Sequence, residues 1–493
     1  MSKLLRDARL GSKKKEVVDF TSSIRADQRL LENVVRINRA HVIMMAECHV
    51  LDRKKAATLL EALGKIDLNA DITETDTEDI HMYVEESVLG AAGQEIGGDL
   101  HIGKSRNDQV STAIRMTLRE RLIEVMSALT DVQEKLLVTA EKHTDTLIPG
   151  YTHTQPAQPI TFAHYLLSFF DAFNRDLERS MESYRRVNRS PMGAGALAGT
   201  SFPIDRERMA ELLGFNGIVE NSLDAVGSRD FIVEVQAALT MAALNLSRLT
   251  EDLILWSSLH FSIVELPDEF TSTSSIMPQK KNPEVPEVIR ARVSDIAGNL
   301  LATVMTLKSL PSGYNMDLQE ITPKLWESID SMSSSLLMLN SLIPALRVSE
   351  AIPRELLDFT TSTELANTLV RKYGVSFRGA HRIVGTLVRN LIEKGLSLSD
   401  VTSDMIKSVS SSVAGSLVTM TEEDIRSSLD PKKFVEAHNV KGGPCRTEVS
   451  RMLRSSSQEL GTWREKLSEE IDRLHQTWET LRSIEESYRP LSG

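Results

Sequence analysis

The sequence predicts an all-α chain built on a long helical bundle. Three very long stretches, residues 111–148, 160–190 and 228–266, contain neither glycine nor proline. Within the first, Ile114, Leu118, Leu122, Val125, Leu129, Val132 and Leu136 recur in steps of three and four, which places them on one helical face. Alternating β-branched runs bounded by turn residues are scarce throughout.

At about 1.5 Å per residue the first stretch makes a rod of roughly 55 Å. The third is richer in apolar residues: Phe231, Ile232, Val233 and Val235, then few charges from Leu239 to Leu255. A helix that is apolar almost all round is buried on most sides, so association of several chains is expected. Composition shifts place boundaries near 110 and 360. They give an N-terminal helical region (1–110), a central long-helix region (111–360) and a C-terminal helical region (361–493) whose helices are broken by Gly374, Gly395 and Gly442-Gly443.

The chain has 493 residues, 41% of them apolar and 26% charged, with a formal net charge of -12. That balance argues against a nucleic-acid footprint, which needs clustered positive charge. The one compact basic run, Lys13-Lys14-Lys15, reads as a solvated tail. Cys48 and Cys445 make no disulfide framework, so a reducing, cytoplasmic compartment is expected. No signal peptide or membrane span is expected. No histidine pair has zinc spacing, and neither a metal nor an organic cofactor is expected.

Three polar segments between the long stretches are too rich in Gly, Pro, Ser and Thr to be helical: 100–109 (LHIGKSRNDQ), 150–159 (GYTHTQPAQP) and 271–286 (TSTSSIMPQKKNPEVP). Such loops on a rigid frame are where binding and catalytic groups gather. The third offers hydroxyls, ammonium groups and an amide in close succession, which suits an anion; by composition alone it reads equally as a flexible linker. One Lys about 4 Å from a carboxylate is worth roughly 4 kcal/mol at an effective dielectric of 20. His153, in the second, can exchange a proton near neutral pH; a satisfied structural histidine is the plainer reading. In the first, Arg106 suits a carboxylate taken by two parallel hydrogen bonds. The alternative is a salt-bridged turn opening the long helix, with Asp108 as cap.

These segments resemble the three signature regions of the aspartase/fumarase superfamily. The run Ser274-Ser275-Ile276-Met277-Pro278-Gln279-Lys280-Lys281-Asn282-Pro283 is similar to its longest motif, and the spelling Met-Pro-Gln-Lys-Lys-Asn-Pro resembles the argininosuccinate lyases. So do Ser105 through Gln109, Tyr151-Thr152-His153, Tyr314 through Glu320, and Ser23-Ile24 with Asp27. The resemblance covers residues from about 20 to beyond 380. It implies an L-aspartase/fumarase-like fold and the elimination of fumarate from argininosuccinate to give arginine, in a homotetramer whose sites are shared between subunits.

Residue by residue, the resemblance implies that Ser274 is the base removing a Cβ proton and His153 the acid for the leaving nitrogen. Glu287 would orient a histidine, and Lys280 and Asn282 would steady the doubly charged aci-carboxylate. Ser23, Asp27, Ser105, Arg106, Asn107, Thr152, Tyr314 and Gln319 would contact substrate. The chain departs from the pattern in three places. Lys104 stands where an arginine is usual, and the Trp-Gly-Gly-Arg opening is missing. Thr322 stands where many members have a lysine, so Lys324 is carried as a substrate contact in its place. Adenylosuccinate lyase is the alternative within the superfamily, disfavoured by Gln279-Lys280-Lys281. A scaffold that kept only the fold would have lost some of His153, Ser274, Lys280 and Asn282, and all four are present.

Overall fold

A computed structural model of the chain describes residues 13–75, 77–349, 352, 354–414 and 417–489. Six helices dominate it: Arg106–Lys142, Phe162–Val187, Asp230–Trp256, Glu284–Leu307, Asp317–Ala345 and Arg446–Ser487. The first five pack side by side and form the frame of the molecule. All seven apolar positions predicted for the face of the 106–142 helix are buried, none more than 2% exposed. The period-3.6 stripe thus fixes both the helix and its inner side.

The start of that helix shows why the chain turns there. Ser105 is its N-cap, and a capping box closes on it: the Asp108 carboxylate accepts from Ser105 N at 2.9 Å. The second oxygen of Asp108 accepts from the backbone N–H groups of Gly193 (3.2 Å) and Gly195 (2.9 Å). Gly195 has φ +61, and a Cβ there would lie 2.6 Å from the Gly199 carbonyl, so only glycine lets the loop fold back onto Asp108. The helix therefore begins inside the segment expected to be loop; its N-cap is Ser105 rather than Asp108, which closes the capping box from the third helical position.

A second expectation needs correction. Residues 150–159 are not a loop but most of a β-hairpin, with Leu147–Thr152 antiparallel to Gln155–Thr161 and a register shift between Gly150 and Tyr151. Prolines 149, 156 and 159 obscure it in the sequence, but a two-stranded ribbon has free edges where a missing N–H costs nothing. Thr152 faces Gln155, so His153 and Thr154 alone make the turn, at φ 55 and 59. Two successive positive φ values are the signature of a tight hairpin turn normally made by Asn-Gly.

The 230–256 helix is not buried all round within one chain. Met241 and Leu244 are exposed, as are Leu301 and Met305 on the 284–307 helix and Leu337 on the 317–345 helix. These helices pack against one another. Residues 365–425 form a separate apolar core around Leu365, Leu369, Ile383, Leu387, Ile406 and Ile425. The 446–487 helix does not join it. Leu453, Leu460, Leu467, Leu474 and Leu481, seven residues apart, close the main core against the 106–142 and 162–187 helices.

Candidate active site

One cavity of about 1340 Å³ gathers residues from three distant segments: Ser23 and Asp27, Arg106, and Tyr314 with Gln319. Ser23, Asp27, Arg106 and Gln319 are placed by identifiable bonds. Ser23 N donates to the Glu78 carbonyl at 3.1 Å, and Gln319 Nε2 donates to the Thr21 carbonyl at 3.0 Å. These tie the N-terminal turn to the 80–92 and 317–345 helices. Ser23 Oγ donates to Asp27 Oδ2 at 2.5 Å. Asp27 is 9% exposed, and burial pushes its carboxyl up to about 7. Arg106 is paired with the carboxylate of Asp79 and lies 3.6 Å from that of Glu85. Asp79 also caps the Ile80–Ala92 helix through Met82 N.

The Lys13-Lys14-Lys15 run is not wholly a solvated tail. Lys13 Nζ bonds Glu78 at 2.5 Å, and Lys13 and Lys15 line the cavity; Lys14 and Lys15 are exposed, Lys14 with a loose contact to Glu16.

The proposed proton-transfer groups lie elsewhere in the single chain. His153 and Thr152 sit exposed at the hairpin tip. The third loop is held at its base by a two-residue ladder, Ser272–Thr273 against Lys281–Asn282, so residues 274–280 project from it. Ser274 Oγ accepts from the N–H of Met277 at 3.2 Å and, more weakly, of Ile276 at 3.4 Å. Two donors aimed at one hydroxyl oxygen favour its anionic form. The neighbouring lysines differ. Lys281 Nζ is committed to Asp268 (2.8 Å) and Glu265 (3.1 Å), whereas Lys280 is exposed and its ammonium has no bond among the described residues. Asn282 Nδ2 reaches Ser272 Oγ at 3.4 Å. Glu287 is exposed in the first turn of the 284–307 helix.

A family pattern described as "Lyase" matches residues 12–298, and one described as "Argininosuccinate lyase C-terminal" matches 359–436. An argininosuccinate lyase of Methanocaldococcus jannaschii is 40% identical over 491 residues, 98% of this chain and 99% of the relative. This chain belongs to the argininosuccinate lyase family. Among solved structures, that of EDDS lyase in complex with formate superposes with a TM-score of 0.87 at 29% identity, covering 97% of this chain and 96% of its own. A class II fumarase from Schistosoma mansoni shares the fold at a TM-score of 0.70 and 17% identity, over 84% and 91% of the two chains. The all-α fumarase-like fold expected from the sequence is thereby established.

In this argininosuccinate lyase family member, several expected substrate contacts stand outside the cavity. Ser105 caps its helix. Asn107 Nδ2 donates to the Ala196 carbonyl at 3.1 Å. Lys324 is half-buried and bonds the Glu320 carbonyl at 2.9 Å, while Thr322 is buried and lines the cavity. Lys104, where the family has arginine, is buried against Asn38 Oδ1, and burial lowers its ammonium to about 7.

Two cavity residues escaped the sequence reading. His81 is 4% exposed, neither ring nitrogen has a partner among the described residues, and burial holds its pKa well below the usual histidine range. Arg229 is 2% exposed beside Tyr314. It reaches that place because Gly227 meets Gly313 so closely that a Cβ on Gly227 would lie 3.0 Å from Gly313 N. In the sequence Arg229 is only a cation at the head of an apolar helix. A charged residue abutting an apolar run was the available signal.

Proposed function

We propose that the protein cleaves argininosuccinate into arginine and fumarate. The near-full-length identity to argininosuccinate lyases carries this reading. Ser274, as its alkoxide, takes the proton from the carbon beside the succinyl carboxylate. The electron pair moves into that carboxylate as the aci-carboxylate, which Lys280 and Asn282 steady. The carbon–nitrogen bond then breaks, the pair re-forms the double bond of fumarate, and His153 protonates the leaving guanidino nitrogen. Each positioned proton transfer is worth about 10²–10⁴ in rate. The backbone donors on Ser274 Oγ support its role as base. Protons and charge suffice for this chemistry, so no metal or organic cofactor enters the proposal. Among the described residues no cluster of His, Cys, Asp or Glu is arranged to hold a metal ion.

We further propose a homotetramer in which the sites are shared. The cavity of one chain holds Ser23, Asp27, Arg106, Tyr314 and Gln319 and excludes His153, Ser274 and Lys280. The exposed apolar residues of the 230–256, 284–307 and 317–345 helices supply the contact face. In the assembly, Thr152, Asn107, Ser105, Glu287 and Lys324 are assigned to substrate or to orienting the acid. A cytoplasmic location goes with this reading. Cys48 and Cys445 are free thiols, and no helix of the described residues is long and apolar enough to cross a membrane.

The test is direct. Purified protein incubated with argininosuccinate should release fumarate, read by its absorbance, and adenylosuccinate should give none. Fumarate from adenylosuccinate alone would replace this reading with the alternative lyase.

A further inference from the structure

The hairpin tip that carries His153 is weakly held by its own backbone. His153 and Thr154 both sit in the left-handed region, at φ 55 and 59, where side chains other than glycine are crowded. The register shift between Gly150 and Tyr151 interrupts the ladder behind them, so the facing pairs Tyr151–Pro156 and Thr152–Gln155 stand on the turn side of the break. A ribbon of two strands is marginal by itself. Thr152 and His153 are exposed, and the last side chain before the turn to pack on the frame is that of Tyr151. Its ring lies against the Phe261 ring, with centroids 5.4 Å apart and planes tilted by 57°. That is a spacing at which two aromatic rings attract. Tyr151 Oη is buried and has no partner among the described residues, so the ring and not the hydroxyl makes the attachment.

Phe261 is a fixed abutment. It sits in the turn that ends the 230–256 helix, where its N–H donates to the Ser258 carbonyl at 3.2 Å and Ile263 N donates to the Trp256 carbonyl at 3.0 Å. The chain beyond is tied as well: Ser349 N donates to the Ile263 carbonyl at 2.9 Å, and Val264 pairs with Val348. Both rings pack on the main core. We infer that Tyr151 is a positioning residue: its ring, seated on Phe261, sets where the tip stands and so where His153 delivers its proton. The inference rests on the reading of His153 as the acid for the leaving nitrogen. Tyr151 acts through His153 and moves no proton itself. Proton delivery is steep in distance, and a displacement of about 1 Å costs on the order of a hundredfold.

Elimination run in heavy water separates a displaced acid from a loosened fold. Ser274 removes the Cβ proton before His153 protonates nitrogen. With the acid out of place, the aci-carboxylate takes a solvent deuteron back on carbon more often than it expels nitrogen. Recovered argininosuccinate then gains deuterium relative to the fumarate formed, which mass spectrometry reads. A loosened fold lowers exchange and cleavage together. Tyr151→Leu should lower kcat roughly tenfold to a hundredfold, leave KM nearly unchanged and raise the ratio of exchange to cleavage about tenfold. Phe261→Leu, which removes the other ring, should behave alike, and the double variant should be no worse than either single one. Tyr151→Phe keeps the ring and gives up only an unbonded hydroxyl, so it should stay within about twofold of wild type. Exchange and cleavage that fall in step, a near-normal kcat, or a Tyr151→Phe enzyme as slow as Tyr151→Leu would each overturn the inference. Where Tyr151→Leu fails to fold, Phe261→Leu carries the same test from the other side of the contact. A wild-type enzyme that releases no fumarate from argininosuccinate fails the lyase reading itself, before any variant is compared.

Discussion

In the cavity wall, Ser23, Asp27 and Arg106 are half-buried or buried and each is bonded to a protein neighbour. At the tips of the hairpin and the third loop, His153 and Lys280 stand exposed, and the Lys280 ammonium holds no partner among the described residues. On the proposed roles, the difference separates recognition from reaction. Charges fixed in a low-dielectric wall are pre-organised for a ligand, and one chain builds that wall alone. Proton transfer from carbon needs a dry, covered site, and one chain leaves those loops in water. On the proposed assembly, the chemistry belongs to a contact between chains.

The largest effect expected is from Ser274→Ala. It should lower kcat by about 10²–10⁴ and leave KM nearly unchanged, because a small hydroxyl adds little to ground-state binding. Near-normal turnover in steady-state kinetics would remove Ser274 as base. The same variant tests whether the two regions meet across subunits: mixed and reassembled with His153→Asn, itself inactive, it should recover measurable activity. Recovery absent from properly formed mixed tetramers would mean that each chain completes its own site.

Next in size is the contrast of the two lysines. Lys280→Met should reduce kcat/KM by roughly tenfold to a hundredfold, the loss of a charge-assisted contact. Lys281→Met removes only surface ion pairs and should cost under about 1 kcal/mol, visible as less than a fivefold change. Equal losses would erase the distinction between the free and the committed ammonium.

The cavity's own signature is in stability. Asp27 is raised from 3.8 to about 7 by burial, so between those values the folded chain keeps a proton that the unfolded chain has lost. Its contribution is complete below pH 4 and falls as pH climbs through 7. Asp27→Asn keeps the shape without the charge. In melts it should gain on the wild type as pH rises, by at most on the order of 4 kcal/mol at pH 8, with no gain at pH 4. A difference independent of pH would show that Asp27 is not held near neutrality. Smallest of all, Lys324→Ala should change kcat/KM less than threefold if its bond to the Glu320 carbonyl is its whole role, and about tenfold or more if it reaches substrate.

The long helices were legible because a period of 3.6 is a local property: Ile114 through Leu136 declare their buried face without reference to any partner. The capping of the 106–142 helix was legible only in part: Asp108 was read as a cap, whereas Ser105, the N-cap itself, was carried as a substrate contact. The hairpin was not, because its pairing is set by register across a turn in which His153 and Thr154 replace the usual Asn-Gly. The cavity members Ser23, Asp27, Tyr314 and Gln319 came from resemblance, Arg106 also from its own chemistry as a carboxylate fork, and no spacing rule joins residues 300 positions apart. His81 and Arg229 were missed because what marks them, burial without a partner, exists only after the chain has closed.

The 446–487 helix adds a constraint on how the molecule is made. Its five leucines complete the core begun by the 106–142 helix, more than 300 residues earlier in the chain. Long-range closure of this kind is slow and leaves apolar surface bare until it happens. A ribosome must therefore finish the 365–425 bundle, which has its own core and can close early, before the main body receives its last wall. During synthesis the N-terminal helices wait with that groove open, which makes them the part of the nascent chain most in need of chaperone protection.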